Sequence, residues 1–119
     1  MMWTMFEERE PTEENTVYGY LLVWHVFAGV IAVRLEDRHA NTMYTHWARP
    51  PGRGWVDARE RWPTPEDADK DNCVLARRDD ETFIVTGWHQ FRTNRHLTHW
   101  AHLPEPPENA AEIRKKWMA

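Results

Sequence analysis

The apolar positions of this chain fall in short runs rather than along a helical stripe. The longest run covers 20–33, Tyr-Leu-Leu-Val-Trp-His-Val-Phe-Ala-Gly-Val-Ile-Ala-Val, with His25 near its middle. A membrane-spanning helix needs about 18–20 apolar residues, so this run is too short to cross a bilayer. It reads instead as two buried strands meeting near Ala28-Gly29. Further β-rich runs fall at 43–48, 73–76, 83–85 and 96–101. Only the last segment differs. Residues 108–117 are rich in helix formers, follow prolines, and carry acids early and bases late, which suits a helix dipole. Ala110, Ile113 and Trp117 share one face of that helix, a face expected to pack on a sheet.

The same pattern occurs twice. At a spacing of 52 residues, Trp3, Glu8, Arg9, Pro11, Thr12 and Glu14 match Trp55, Glu60, Arg61, Pro63, Thr64 and Glu66. At a spacing of 53, Leu22, Ile31 and Asn41 match Leu75, Ile84 and Asn94, and Thr45-His46-Trp47-Ala48 matches Thr98-His99-Trp100-Ala101. One inserted residue accounts for the change of spacing. Each copy then ends in prolines, Arg49-Pro50-Pro51 and Leu103-Pro104-Glu105-Pro106-Pro107. Between the two strand runs the second copy reads Arg77-Arg78-Asp79-Asp80-Glu81, a polar turn, so 24–28 is expected to be a hairpin tip as well. Each copy is thus expected to hold an opening turn with a Pro-Thr pair, a hairpin, a loop and one more strand.

The fold expected is α+β, mainly β: two pseudo-symmetric three-stranded antiparallel units and a short C-terminal helix. The boundaries fall at 1–52 for the first unit, 53–107 for the second and 108–119 for the helix, all within one compact domain.

Composition narrows the function classes. The 119 residues are 41% hydrophobic, 13% aromatic and 29% charged, a folded composition that excludes a disordered tail. The length is too small for a barrel enzyme. A net charge of −4 counts against nonspecific nucleic-acid binding. That charge is concentrated: Glu7, Glu8, Glu10, Glu13 and Glu14 against Arg9 give the first fifteen residues −4, and the rest balances. Cys73 is the only cysteine, which forbids an internal disulfide and fits a reducing cytoplasm. The first ten residues lack a basic start and an apolar run, so no signal peptide is expected.

Catalytic chemistry is poorly provided for. There is no serine for a serine-centred triad and no glycine-rich phosphate loop. Cys73 falls in an expected buried strand, where a structural role suits it better than nucleophilic attack. His96, His99 and His102 suggest a metal site, but in a strand the outer two lie about 20 Å apart and His99 faces the other way. No enzyme activity, cofactor or metal is therefore expected.

A residue kept in both copies is most simply explained by the fold. Trp3, Trp55, Trp47 and Trp100 are read as core, and His46 and His99 as hydrogen-bonded histidines steadying the strand against the opening turn. Trp24, Trp62, Trp88 and Trp117 have no counterparts. Of these, Trp117 is assigned to the helix's apolar face, and Trp24 and Trp88 to a partner interface. Arg77, Arg78, Arg92 and Arg95 are the basic candidates for a phosphate-bearing ligand, through charge and stacking.

The second copy opens Trp55-Val56-Asp57-Ala58-Arg59-Glu60-Arg61-Trp62-Pro63 and closes Leu97-Thr98-His99-Trp100-Ala101-His102-Leu103-Pro104-Glu105-Pro106-Pro107. It resembles the phage and prophage domain-of-unknown-function family numbered 551. Members of that family start Trp-Ile followed six residues later by Leu-Pro, and finish Thr-His-Trp-x-x-Leu-Pro-x-Pro-Pro. Trp62 stands where the family carries leucine and His102 where it carries proline. The resemblance covers 55–107; the first copy shares only Trp3, Pro11 and Thr45-His46-Trp47. It implies a small accessory protein of a phage, acting in the cytoplasm of the bacterial host as a monomer or homodimer. In that context the leading reading is a binder of a host protein, such as a CRISPR effector of antiviral defence. Its contact residues would be Trp24, Trp88 and the acidic cluster Glu7, Glu8, Glu10, Glu13 and Glu14. The alternative is a sponge that sequesters a nucleotide in a cleft between the repeats, lined by aromatics and arginines. A structural part of a virion is the third reading.

Overall fold

A computed structural model of the chain describes residues 2–119. It is mostly β, with one C-terminal helix, and divides into two compact units. The first comprises Met1–Pro50 with Pro104–Ala119, and the second Pro51–Leu103.

In the first unit, β1 (Thr4–Met5), β2 (Tyr20–His25), β3 (Gly29–Arg34) and β4 (Tyr44–Ala48) form an antiparallel sheet in the order β1-β4-β2-β3. In the second, β5 (Val56–Asp57), β6 (Cys73–Arg78), β7 (Phe83–Gly87) and β8 (Leu97–Ala101) repeat that order as β5-β8-β6-β7. Each sheet therefore has four strands, not the three expected from the sequence. The extra strand is the two-residue opening piece, which is too short to show a period of two. It pairs with the Thr-His-Trp strand instead, as Thr4↔Trp47 and Met5↔His46, or Val56↔Trp100 and Asp57↔His99.

The hairpin tips are also tighter than the sequence suggests. Trp24 and His25 remain in β2, and Arg77 and Arg78 remain in β6. The first turn closes because His25 Nδ1 accepts from the N–H groups of Phe27 and Ala28, at 3.1 and 3.0 Å. Gly29 then takes φ +82, a left-handed value that disfavours a side chain. In the second turn Asp80 Oδ1 accepts from the Thr82 N–H and hydroxyl at 3.1 and 2.6 Å, and Glu81 adopts φ 66.

Side chains alternate between the two faces of each sheet, and both faces bury apolar residues: Leu22 in the first unit, and Leu75 and Phe83 in the second, lie opposite the clusters that follow. In the first unit Leu21, Val23 and Trp47 form it, with Phe6, Ile31 and Val33 packed against them. In the second unit Val74, Ala76, Phe91, Leu97 and Trp100 form it, with Val56, Ile84 and Trp88 alongside.

The closing tryptophan also ties its strand to the opening turn. Trp47 Nε1 donates to Arg9 O at 2.8 Å, and Trp100 Nε1 donates to Arg61 O at 2.9 Å. The Arg9 and Arg61 guanidinium groups lie over those same rings. Beyond each arginine a Thr-capped 3₁₀ turn follows, Glu13–Asn15 and Pro65–Asp67.

The C-terminal helix α1 spans Ala110–Met118 within the first unit. Asn109, its N-cap, makes no cap hydrogen bond, because its side chain is engaged by His46. Arg114 Nη2 donates to Phe27 O at 2.7 Å. Ala110 and Ile113 are half-buried, whereas Trp117, expected to pack on a sheet, is 43% exposed because it lies past those anchors. No helix among the described residues is long and apolar enough to cross a membrane.

Trp47→Phe and Trp100→Phe each remove a buried indole donor and leave a turn carbonyl without it. Each should lower stability in urea denaturation by about 1–3 kcal/mol. Trp62→Phe, at a side chain 51% exposed, should change stability by less than about 0.5 kcal/mol.

Candidate functional site

The second unit carries a cleft of about 1070 Å³. Its geometry starts from the opening turn. With Arg61 O held by the Trp100 indole, the Arg61 guanidinium pairs with Asp67 at 3.0 Å. Asp67 also accepts from Thr64 N and Oγ1, at 2.8 and 2.9 Å. Burial raises the Asp67 pKa, but Arg61 and Thr64 outweigh it and bring the carboxyl down to about 2. Residues 57–62 are thereby fixed along one wall of the cleft, with Trp62 at its rim.

The end of β6 and the segment before β8 form a further part of the lining. They supply Arg77, Arg78, Arg92 and Arg95, the four arginines singled out in the sequence. With Arg59 and Arg61, six arginines line the cleft, against the carboxylates Asp57, Glu60, Asp79 and Glu81. Two of those carboxylates are engaged. The Arg59 side chain and its backbone N–H hold the Asp57 carboxyl down to about 2. His96 Nδ1 sits 2.8 Å from Asp79 Oδ2. Ala58, Phe91 and Leu97 give the cleft an apolar part. The Arg78 Nε atom is buried and has no hydrogen-bond partner among the described residues. A buried donor left in that state is costly unless an acceptor arrives.

The two repeated histidines differ in what they meet. The Thr98 hydroxyl donates to Arg77 O at 3.2 Å, so its oxygen accepts from His99 Nδ1–H at 3.0 Å. The His99 ring lines the cleft, and its Nε2 has no hydrogen-bond partner among the described residues. In the first unit His46 is buried, and its Nε2 donates to Asn109 Oδ1 at 2.9 Å. Its Nδ1 accepts from the Thr45 hydroxyl at 2.7 Å. Burial pushes the His46 pKa down, the Asn109 bond opposing in part. In both units the bond to the opening turn is made by the tryptophan, and the histidine's Nδ1 turns to the neighbouring threonine.

The other candidates are placed as follows. Trp3 and Trp47 are buried, Trp100 is fully buried and Trp55 is half-buried. Trp3 Nε1 donates to Glu105 O, and Trp55 Nε1 to Pro51 O. Trp24 lies in β2, half-buried, with its ring edge-on to Trp3 at 6.0 Å. Trp88 packs on the core of the second unit beneath the Arg92 guanidinium. Trp24 and Trp88 belong to different units. Glu7, Glu8, Glu10, Glu13 and Glu14 are all exposed, and Glu10 alone pairs, with Arg38 and His39. Cys73 opens β6; burial first, then Asp69 and Asp71, pushes its thiol up and keeps it protonated.

Among the described residues no three His, Cys, Asp or Glu side chains gather to hold a metal. His96 turns to Asp79, His99 to Thr98 and His102 to Asp67.

Sequence reasoning missed Arg59, Arg61, Trp62 and His99 as parts of the cleft. A signal for Trp62 was present in the repeat, since the first copy carries Glu10 at that position. Arg77, Arg78, Arg92 and Arg95 likewise face Trp24, His25, His39 and Thr42 in the alignment, so the fold does not require them.

No family model, curated protein or solved structure matches the chain.

The lowered His46 pKa sets a pH dependence. Below about pH 6.5 the unfolded chain takes up a proton that the native site resists, so stability present at pH 7 is lost as pH falls toward 5. Urea titrations from pH 7.5 to 5 should show this slope, and His46→Gln should flatten it.

Proposed function

We propose that the second unit binds a phosphate-bearing small ligand and that the chain sequesters this ligand rather than converting it. The observation that carries this reading is the convergence of six arginines on one cleft, where Arg78 Nε is buried without an acceptor. Planar guanidinium groups match phosphate oxygens in forked pairs, and such charge-assisted bonds are the strong ones. The volume lies just above the usual range of about 300–1,000 Å³ for small-molecule sites, and the mix of apolar surface with converging polar groups is usual for them. Sequestration is favoured over catalysis because the cleft offers no activated nucleophile: Cys73 is not among its residues and its thiol is held protonated.

The two units, alike in strand order, are read as pseudo-symmetric copies of one ancestral unit, one kept as scaffold and one adapted as site. The resemblance to the phage family gives this reading a setting, an accessory protein that withdraws a phosphate compound from its host. A second reading, docking on a host protein such as a defence effector, is favoured by one feature. Glu7, Glu8, Glu13 and Glu14 stand exposed with no ion pair among the described residues, ready for a basic surface.

Thermal unfolding with a panel of phosphate compounds tests the first reading. A ligand present at about 100 times its Kd should stabilise the protein by about 2.7 kcal/mol. Arg78→Ala should abolish that gain, whereas Trp24→Ala should leave ligand binding intact. If no phosphate compound shifts the transition and a host protein co-purifies through the acidic segment, the protein-binding reading replaces it.

A further inference from the structure

We infer that the ligand of the second unit is a free nucleoside phosphate, its base stacked on Trp62 and its phosphates held by Arg77 and Arg78. This rests on the anion-binding reading above and names the ligand class. Trp62 lies on the cleft, 51% exposed, with no aromatic or cation–π partner among the described residues. Its repeat counterpart is Glu10, so the large ring is not needed to build the unit. An exposed indole beside a basic wall offers a stacking platform for a base, and stacking tolerates any base.

The histidines support the same class. In the first unit the chain's own Asn109 takes the hydrogen bond of His46 Nε2. In the second unit His99 Nε2 has no hydrogen-bond partner among the described residues, and the ring lines the cleft. A ribose hydroxyl, which both donates and accepts, can bond that nitrogen. The cleft is also far roomier than a bare phosphate requires, at about 1070 Å³. The source is a free nucleotide rather than a strand, because a chain of net charge −4 gives little long-range attraction to a polyanion.

Calorimetric titration of the full chain with ATP and with tripolyphosphate, which share the phosphate chain, separates the claims. ATP should bind about ten- to hundredfold more tightly, the range that one stacked base confers. Trp62→Ala should bring ATP down to the tripolyphosphate level and leave tripolyphosphate unchanged, while Trp62→Phe keeps most of the difference. Arg78→Ala should weaken both. Urea unfolding of each variant checks that the fold is retained. Equal affinity of the two probes for the unaltered protein overturns the nucleotide inference and leaves the anion-binding reading standing. No binding of either probe overturns both. A single-stranded oligonucleotide binding tenfold tighter than ATP overturns the assignment to a free ligand.

Discussion

The indole of the Thr-His-Trp strand reaches back to a carbonyl of the opening turn, and the rest of each unit is arranged around that bond. The tryptophan is buried, so its N–H must find an acceptor inside the protein. The acceptor is Arg9 O in one unit and Arg61 O in the other, and the arginine then folds its side chain over the same ring. Backbone pairing of the two-residue opening strand follows from this, since a strand so short has little stability of its own. In the second unit the same turn lines the cleft. The residue after Arg61 is Trp62, so the bond that closes the fold also sets the rim of the cleft.

The two units put the same sheet face to different use. Met5, Trp24 and His46 share that face in the first unit, and Asp57, Arg77 and His99 share it in the second. The first unit covers it with its own chain: Asn109 meets both His46 and Met5, and Trp3 bonds Glu105. Burial there makes the neutral histidine the stable form. The second unit carries charge on the same face, and its guanidinium groups extend into an open cleft. In the first unit this face holds the C-terminal segment, and in the second it carries Asp57, Arg77 and His99 instead.

Much of the fold was legible because the sequence pattern occurs twice. The hairpins, the Thr-His-Trp strands and the helix follow from apolar runs and their repeat partners. The opening strands were not legible, because two residues show no alternation and their pairing depends on a strand more than forty residues away. The arginines Arg77, Arg78, Arg92 and Arg95 could be named individually but not gathered. Their convergence needs the register of β6 against β8 and the fold of the 3₁₀ segment Trp88–Arg92, both tertiary facts. Trp62 was lost for a different reason. Its place on the cleft depends on how the Arg61 carbonyl meets Trp100, a tertiary contact that leaves no trace in composition.

Net charge misleads at the scale of this cleft. The chain as a whole is at −4, and that deficit lies in the opening fifteen residues of the first unit. At physiological ionic strength fields between exposed charges fade over about 8 Å. A small anion inside the cleft is therefore governed by the six arginines and four carboxylates around it, two of the latter already engaged.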